Sequence, residues 1–290
     1  MRYQFIEEHR GEFSVARMCE VLKVQRSGYY AWRKQPLSAQ KMANEKLTEQ
    51  IRKIHQESKE TYGSPRVHRE LNAQGHRCSK NRVARLMKES NIRAKTRRKY
   101  KVTTRRDESH PVVTNLLKQQ FQAERPDQYY LSDITYIGTG EGWLYLAAVM
   151  DLFSRRIVGW AMAEQITAEL TCDALRMALR QRQPESGLIH HSDRGAQYTA
   201  DSFQALLRSN AIQPSMSGKG NPYDNAPMES FFGRLKTELV HHCVYQTRQE
   251  ARISLFAHIE GFYNLRRLHS ALDYVSPAAY EQAYLSAQIA

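Results

Sequence analysis

Two carboxylates, Asp193 and Glu229, stand 35 residues apart in a chain of 290. Asp193 follows the short apolar run Gly187-Leu188-Ile189, which reads as a buried strand. Arg194-Gly195 then supplies a turn, so Asp193 is expected at a strand's carboxyl end. Glu229 comes just after Asn225 and Pro227, residues suited to a helix start, and Phe232, Leu235 and Leu239 continue with apolar helical spacing. A strand-end Asp and a first-turn Glu can converge on a divalent metal. The fold must bring that strand end and that helix start together.

Charge is segregated along the chain. Residues 1–110 carry 27 Lys and Arg against 12 Asp and Glu, whereas residues 111–290 carry 16 against 18, within a total of +13. A soluble basic surface would explain the sum but not the segregation; a nucleic-acid-binding front joined to a near-neutral second domain explains both. No apolar run approaches the roughly 18 residues of a membrane span, and the start MRYQFIEEHR is unlike a signal peptide, so a cytoplasmic protein is expected. The four cysteines contain no C-x-x-C pair, and His241-His242-Cys243 lacks partners at zinc spacing.

The front third reads as helical. Val15, Met18, Cys19 and Leu22 share one helical face, a break falls near Lys23, and Arg26-Ser27-Gly28-Tyr29-Tyr30 opens a second helix bearing Arg33 and Lys34. That is a helix-turn-helix layout, with Arg26, Tyr29, Arg33 and Lys34 as candidate DNA contacts. Residues 39–58 form one amphipathic helix on Leu47, Ile51 and Ile54. A second unit of the same kind spans Pro65–Ile92, with one helix from Ser64-Pro65 to Gly75 and another from the Ser79 cap carrying Arg82 and Arg85. Arg93, Lys95, Arg97, Arg98, Lys99 and Lys101 follow within nine residues, a run able to lie along a phosphate backbone. The expected division is 1–58 and 59–110 as helical DNA-binding regions, 111–125 as linker, 126–240 as catalytic core and 241–290 as a helical extension.

From Pro126 the period changes to that of strands. YYLSDITYI places Leu131, Asp133, Thr135 and Ile137 on one face, and residues 142–164 read as two strands joined by a turn at Asp151–Arg155. A helix over Ala168–Gln181, a strand to His191, a helix near Ala200–Asn210, a strand at Ala211–Ser215 and the Glu229 helix complete the order β-β-β-α-β-α-β-α. The fold class is α/β, a mixed sheet with helices on its faces, preceded by an all-α helix-turn-helix region. Ligand sites in such sheets favour the carboxyl ends of strands.

Asp133 is then a third carboxylate, adjacent to Asp193 if the first and fourth strands are neighbours. Three such groups repel unless cations neutralise them, and oxygen-only donors suit Mg²⁺ or Mn²⁺. Two ions about 4 Å apart can activate a water or hydroxyl and stabilise the leaving oxygen of a phosphodiester. Asp151 is read as a turn residue and Asp224 as a helix cap. Glu238, nine residues beyond Glu229, lies about half a turn out of phase. Lys236 is two turns on and nearly in line, so it projects beside the site or is an ordinary surface charge; Asn225 is placed on the same face. Farther on, Thr247–Asn264 reads as an amphipathic helix on Ile253, Phe256, Ile259 and Phe262. Core packing is the expectation for that helix, whereas Arg266, Arg267 and His269 form a basic cluster suited to a DNA backbone.

These residues, with SDITYI, HHSDRGAQY, NPYDNAPMESFFGRLKTE, QRSGYYAWR, TYGSPRV and the tail YNLRRLHSALDYVSP, resemble the bacterial insertion-sequence transposases encoded in two overlapping frames. The chain is similar to the second-frame product over nearly its whole length. The resemblance implies a ribonuclease-H-like catalytic fold of the acidic-triad group that includes retroviral integrases. It implies that Asp133, Asp193 and Glu229 are catalytic metal ligands and Lys236 a DNA-end contact. It also implies end nicking followed by strand transfer, on the element's terminal inverted repeats and on target DNA. A multimer on DNA, help from or fusion to a first-frame protein, and a nucleoid-associated bacterial location go with it. Tyr130 stands where such sequences usually carry Trp, and Asp273 where the tail often has Gly. A nuclease without strand transfer and a DNA-binding regulator with an inactive core are the competing readings.

Overall fold

In a computed structural model, residues 1–34, 39–95, 114–117, 119–218 and 222–289 are described. They divide into two compact units, Met1–Lys59 with Gly63–Arg93, and Glu60–Tyr62 with Ala94–Ala290.

The first unit is helical: α1 (Arg2–Glu8), α2 (Val15–Val21), α3 (Arg26–Lys34), α4 (Ala39–Glu57), α5 (Ser64–Ala73) and α6 (Lys80–Glu89). Helix α1 was not legible in the sequence; its Ile6 joins Met18, Cys19 and Tyr29 in one buried cluster. Ser14 caps α2 by accepting from the Arg17 N–H, and the break after α2 is real, with Lys23 at φ 53°. Ser79 caps α6 through the Arg82 N–H. Helix α4 packs with α5 and α6, burying Leu47, Ile51 and Ile54 with Val67, Leu71, Val83 and Leu86. The sequence-based boundary at 58/59 thus falls between helices that pack together.

The second unit holds β1 (Tyr129–Thr139), β2 (Gly142–Asp151), β3 (Ile157–Ala163), α7 (Ala168–Arg182), β4 (Ile189–Ser192), α8 (Ala196–Thr199), α9 (Asp201–Ser209), β5 (Gln213–Met216), α10 (Ala226–Glu238), α11 (Arg248–His258) and α12 (Pro277–Ile289). Sheet order is β3-β2-β1-β4-β5, with antiparallel pairing among β1, β2 and β3 and parallel pairing of β4 to β1 and β5. This is the ribonuclease-H-like arrangement, and the element order matches the sequence reading with α8 inserted. Alternation divides β1 between two cores. Leu131 and Ile137 face Phe231, Phe232 and Leu235 of α10, while Tyr130 faces Leu175 of α7 and Phe203 of α9. Helix α7 lies directly on β3 at Gly159, where a Cβ would come 2.2 Å from the Ala174 carbonyl oxygen.

Several expectations change here. Three residues expected within a linker are packed: Leu117 is in the core, and Asn115 and Gln119 donate to the Asp224 carboxylate at 2.9 and 3.0 Å. Asp224 also accepts the Gly218 N–H at 2.6 Å, so it pins loops and does not cap α10. The apolar stripe expected on Ile253 and Phe256 is wrong, for both are exposed. Ile259 and Phe262 are buried as expected, but Ala251 and Leu255 join them, because a series spaced by three residues drifts about 60° per step around a helix; the backbone continues as a π-helix over Ile259–Asn264. Asp151 is the turn residue expected, accepting the Ser154 N–H at 2.9 Å and the Asp127 N–H at 2.7 Å; burial raises its pKa to about 6.

Candidate active site

The register of β1 against β4 sets Tyr130 opposite His190 and Leu131 opposite His191. Carried two residues further at the same offset, it would set Asp133, midway along β1, opposite Asp193, the residue just past the end of β4. Each aspartate is oriented by a nearby backbone N–H: Asp133 Oδ1 accepts from Ile134 at 2.7 Å, and Asp193 Oδ1 from Gly195 at 2.9 Å. Both remain partly exposed. The Tyr198 hydroxyl on α8 is buried without a hydrogen-bond partner among the described residues. Burial first, then the negative charges of Asp133 and Asp193, push its pKa well above the phenol range. One phenol therefore feels both carboxylates.

Helix α10 is fastened to the same place. Asn225, at its N-cap, donates Nδ2 to the Ser132 carbonyl at 3.1 Å, one residue before Asp133. Glu229 follows one turn later, exposed in the first turn. Buried Met228, Phe231, Phe232 and Leu235 set the helix against β1 and leave Glu229 on the outer side. Among the described residues, no three His, Cys, Asp or Glu side chains are gathered closely enough to form a ready-made metal cluster. Three carboxylates drawn together without a cation would repel. The donor set fits a hard divalent ion nevertheless, with only oxygens and with two of the three ligands already oriented by main-chain N–H groups.

Lys236 lies two turns beyond Glu229 with its ammonium 4.5 Å from the centre of the Tyr136 ring. Burial lowers its pKa, and the charge of Asp133 opposes that shift, so the ammonium sits within reach of the Asp133 field. Beneath the aspartates, His190 Nε2 and Ser132 Oγ share a hydrogen bond of 2.7 Å, and burial drops the His190 pKa to about 3. His191 bridges to Ser215 at 2.8 Å and Ser217 at 3.2 Å, locking β4 to β5 and the loop beyond it. The sequence marked HHSD as a motif but gave no sign that its two histidines are structural.

Other expected contacts separate into surface and interior groups. Arg26, Arg33, Lys34, Arg85, Arg93 and Arg266 are exposed, although Arg33 lies 3.4 Å from Glu7 and Arg85 3.9 Å from Glu89. Lys95 is half-buried. Arg97, Arg98, Lys99 and Lys101 lie outside the described residues. Three assignments are corrected. Tyr29 is fully buried and its hydroxyl donates to Glu7, so it packs the helical core and presents no surface for a DNA contact. Arg267 is only 2% exposed and grips Glu238 with two bonds, Nε to Oε2 at 2.7 Å and an Nη to Oε1 at 2.6 Å. Asn225 is buried and braces α10 on β1. Arg82 is half-spent as well, its guanidinium forked onto Asn44 Oδ1 at 2.9 and 2.7 Å.

Family models place this geometry. An integrase core domain matches residues 123–222, which hold Asp133 and Asp193; a second integrase core model matches 229–285, beginning at Glu229; an HTH-like domain matches 42–100. The chain is 46% identical over 267 residues to the insertion element IS600 uncharacterized 31 kDa protein of Shigella sonnei, covering 92% of this chain and 98% of that one. It is 42% identical over 288 residues to the transposase InsF for insertion sequence IS3A of Escherichia coli strain K12, covering 99% and 100%. Among solved structures, the simian T-cell lymphotropic virus intasome in complex with PP2A regulatory subunit B56 gamma aligns at 16% identity and TM-score 0.47, over 80% of this chain and 74% of that one.

Sheet order, an integrase core and a transposase relative together define a polynucleotidyl transferase acting on DNA. More narrowly, the chain belongs to the insertion-sequence transposase family, and its activity is DNA transposition and integration. No helix among the described residues is long and apolar enough to cross a membrane.

Proposed function

We propose that Asp133, Asp193 and Glu229 form one catalytic triad that holds two divalent cations, Mg²⁺ or Mn²⁺, between the middle of β1, the end of β4 and the start of α10. The observation that carries this reading is the parallel register of β1 and β4, which aligns Asp133 with Asp193 while Asn225 fastens the Glu229 helix to Ser132. When bound, such ions supply charge neutralisation at a phosphodiester and lower the pKa of an attacking water or hydroxyl. The chain's own residues orient the donors through the Ile134 and Gly195 N–H groups, and the apolar core under α10 keeps Glu229 at the mouth. Lys236 holds a DNA-end phosphate beside the triad.

The reaction is hydrolytic nicking at the element's terminal inverted repeats, which frees a 3′-hydroxyl. That hydroxyl then attacks a target phosphodiester in line, one P–O bond forming as another breaks, with neither ATP nor a covalent protein intermediate. Arg26, Arg33, Lys34, Arg85, Arg93, Lys95 and Arg266 supply backbone contacts, as does the run through Arg97, Arg98, Lys99 and Lys101. Two element ends must meet, so the working form is a homo-oligomer on DNA, with a first-frame protein or segment adding to end recognition. Such a protein works at the bacterial nucleoid.

Labelled terminal-repeat duplex incubated with the protein and Mg²⁺ tests the reading. Nicked and joined products are expected. Nicking alone would identify a nuclease, and binding alone, unchanged in Asp193→Ala, a regulator.

A further inference from the structure

We propose that Tyr136 and Trp143 form a stacking platform for an unpaired nucleobase of the DNA, next to the phosphate held at Lys236. The proposal rests on the DNA chemistry assigned above and adds a binding element to it. Tyr136 is 47% exposed and Trp143 53% exposed, yet both are held in place. Their ring centres are 5.0 Å apart at 80°, edge to face. The register pairs Gly138 with Trp143, and a Cβ at Gly138 would meet the indole at 3.4 Å. The indole therefore lies against bare backbone, at van der Waals distance from where a Cβ would stand. Two large rings fixed on a strand pair and open to water are what a stacking surface requires.

Charge identifies the occupant. The Lys236 ammonium is 4.5 Å from the Tyr136 ring centre and within the field of Asp133, which joins the platform to the acidic position on β1. An apolar protein helix would gain nothing from an ammonium at the rim. A nucleotide matches both halves, with its π-face on the rings and its phosphate on the lysine. Among the described residues, the pairing of β4 with β1 ends at Leu131, five residues before Tyr136. Every base has a π-face, so the platform tolerates any sequence and favours unpaired over paired ends.

Fluorescence anisotropy with the full chain tests this directly. The probes are a flush duplex and the same duplex with a short single-stranded overhang on either strand, made with normal or with abasic residues. Wild type should bind the base-bearing overhang roughly tenfold more tightly than the abasic one, the contribution of one stacked base. Tyr136→Ala and Trp143→Ala should abolish that preference, and Tyr136→Phe should keep it. Equal affinity of wild type for the two overhangs, a comparison that needs no variant, overturns the proposal. So does full preference surviving in both alanine variants. Loss of the platform alone would leave wild-type nicking and joining of terminal-repeat DNA in place. Failure of the transposase reading would remove those products whatever the overhang.

Discussion

Asn225 donates its side-chain amide to the carbonyl of Ser132 across 3.1 Å, tying the first turn of the Glu229 helix to the strand that carries Asp133. The two residues are 93 apart in sequence. Their bond sets where the helix bearing Glu229 stands against the strand bearing Asp133.

Asn225→Ala should therefore injure chemistry more than folding. Loss of one buried hydrogen bond costs about 1–3 kcal/mol, with the Ser132 carbonyl left unpaired. Glu229 is then held less firmly, so end nicking should slow at least tenfold while affinity for duplex DNA stays within about twofold. Rates measured at saturating Mg²⁺ would check it; an unchanged nicking rate would contradict the bracing role.

Arg267 and Glu238 make a buried, doubly bonded pair. Breaking one partner of such a pair costs about 3–5 kcal/mol, because the other charge stays buried. Arg267→Ala should lower the urea midpoint strongly, whereas exposed Arg266→Ala should leave stability within about 0.5 kcal/mol and weaken DNA binding. Equal stability of the two variants would show that Arg267 does not anchor the fold.

Burial holds His190 neutral, with a pKa of about 3 against the ordinary 6.5. Because the unfolded chain takes up that proton first, stability is full above pH 6.5 and falls as pH drops from 6.5 towards 3. The slope is at most about 1.4 kcal/mol per pH unit for the one proton. Neighbouring His191, also lowered by burial, acts in the same direction. Urea unfolding of His190→Asn should show a shallower decline between pH 6.5 and 4.5 than wild type. An identical slope would place the sensitivity elsewhere.

Asp273 occupies a left-handed turn at φ 50° and ψ 35°. That explains how a carboxylate serves where related tails often carry glycine, since Asp tolerates this region better than most residues. Asp273→Gly should stabilise the protein by about 0.5–1 kcal/mol, read as a small rise in thermal midpoint; a fall would mean the Asp side chain contributes there.

Alternation and caps were legible because they are local. The β1 face carrying Asp133, the Asn225 start of α10 and the breaks at Lys23 and Asp151 were all readable from a few adjacent residues. Long-range pairing was not. Nothing near Arg267 announces Glu238, 29 residues away, so a buried ion pair resembled a DNA-binding cluster. Tyr29 looked like part of a recognition helix because its partner Glu7 sits on α1, a helix too short to show a period. Ile253 and Phe256 were misassigned because a spacing of three drifts off the face that Ala251 and Leu255 share. Tyr198, beneath both aspartates, carried no signal beyond its place in HHSDRGAQY.

The central claim is that Asp133, Asp193 and Glu229 act as one unit. Its most direct test is the initial rate of terminal-repeat nicking in Asp133→Asn, Asp193→Asn, Glu229→Gln and the triple variant, each at matched DNA occupancy. Groups that act together are strongly non-additive. Each single change should lower the rate by about a thousandfold or more with DNA binding retained, and the triple should fall no further than the worst single. A single variant keeping more than about a tenth of wild-type rate, or losses that multiply in the triple, would contradict it.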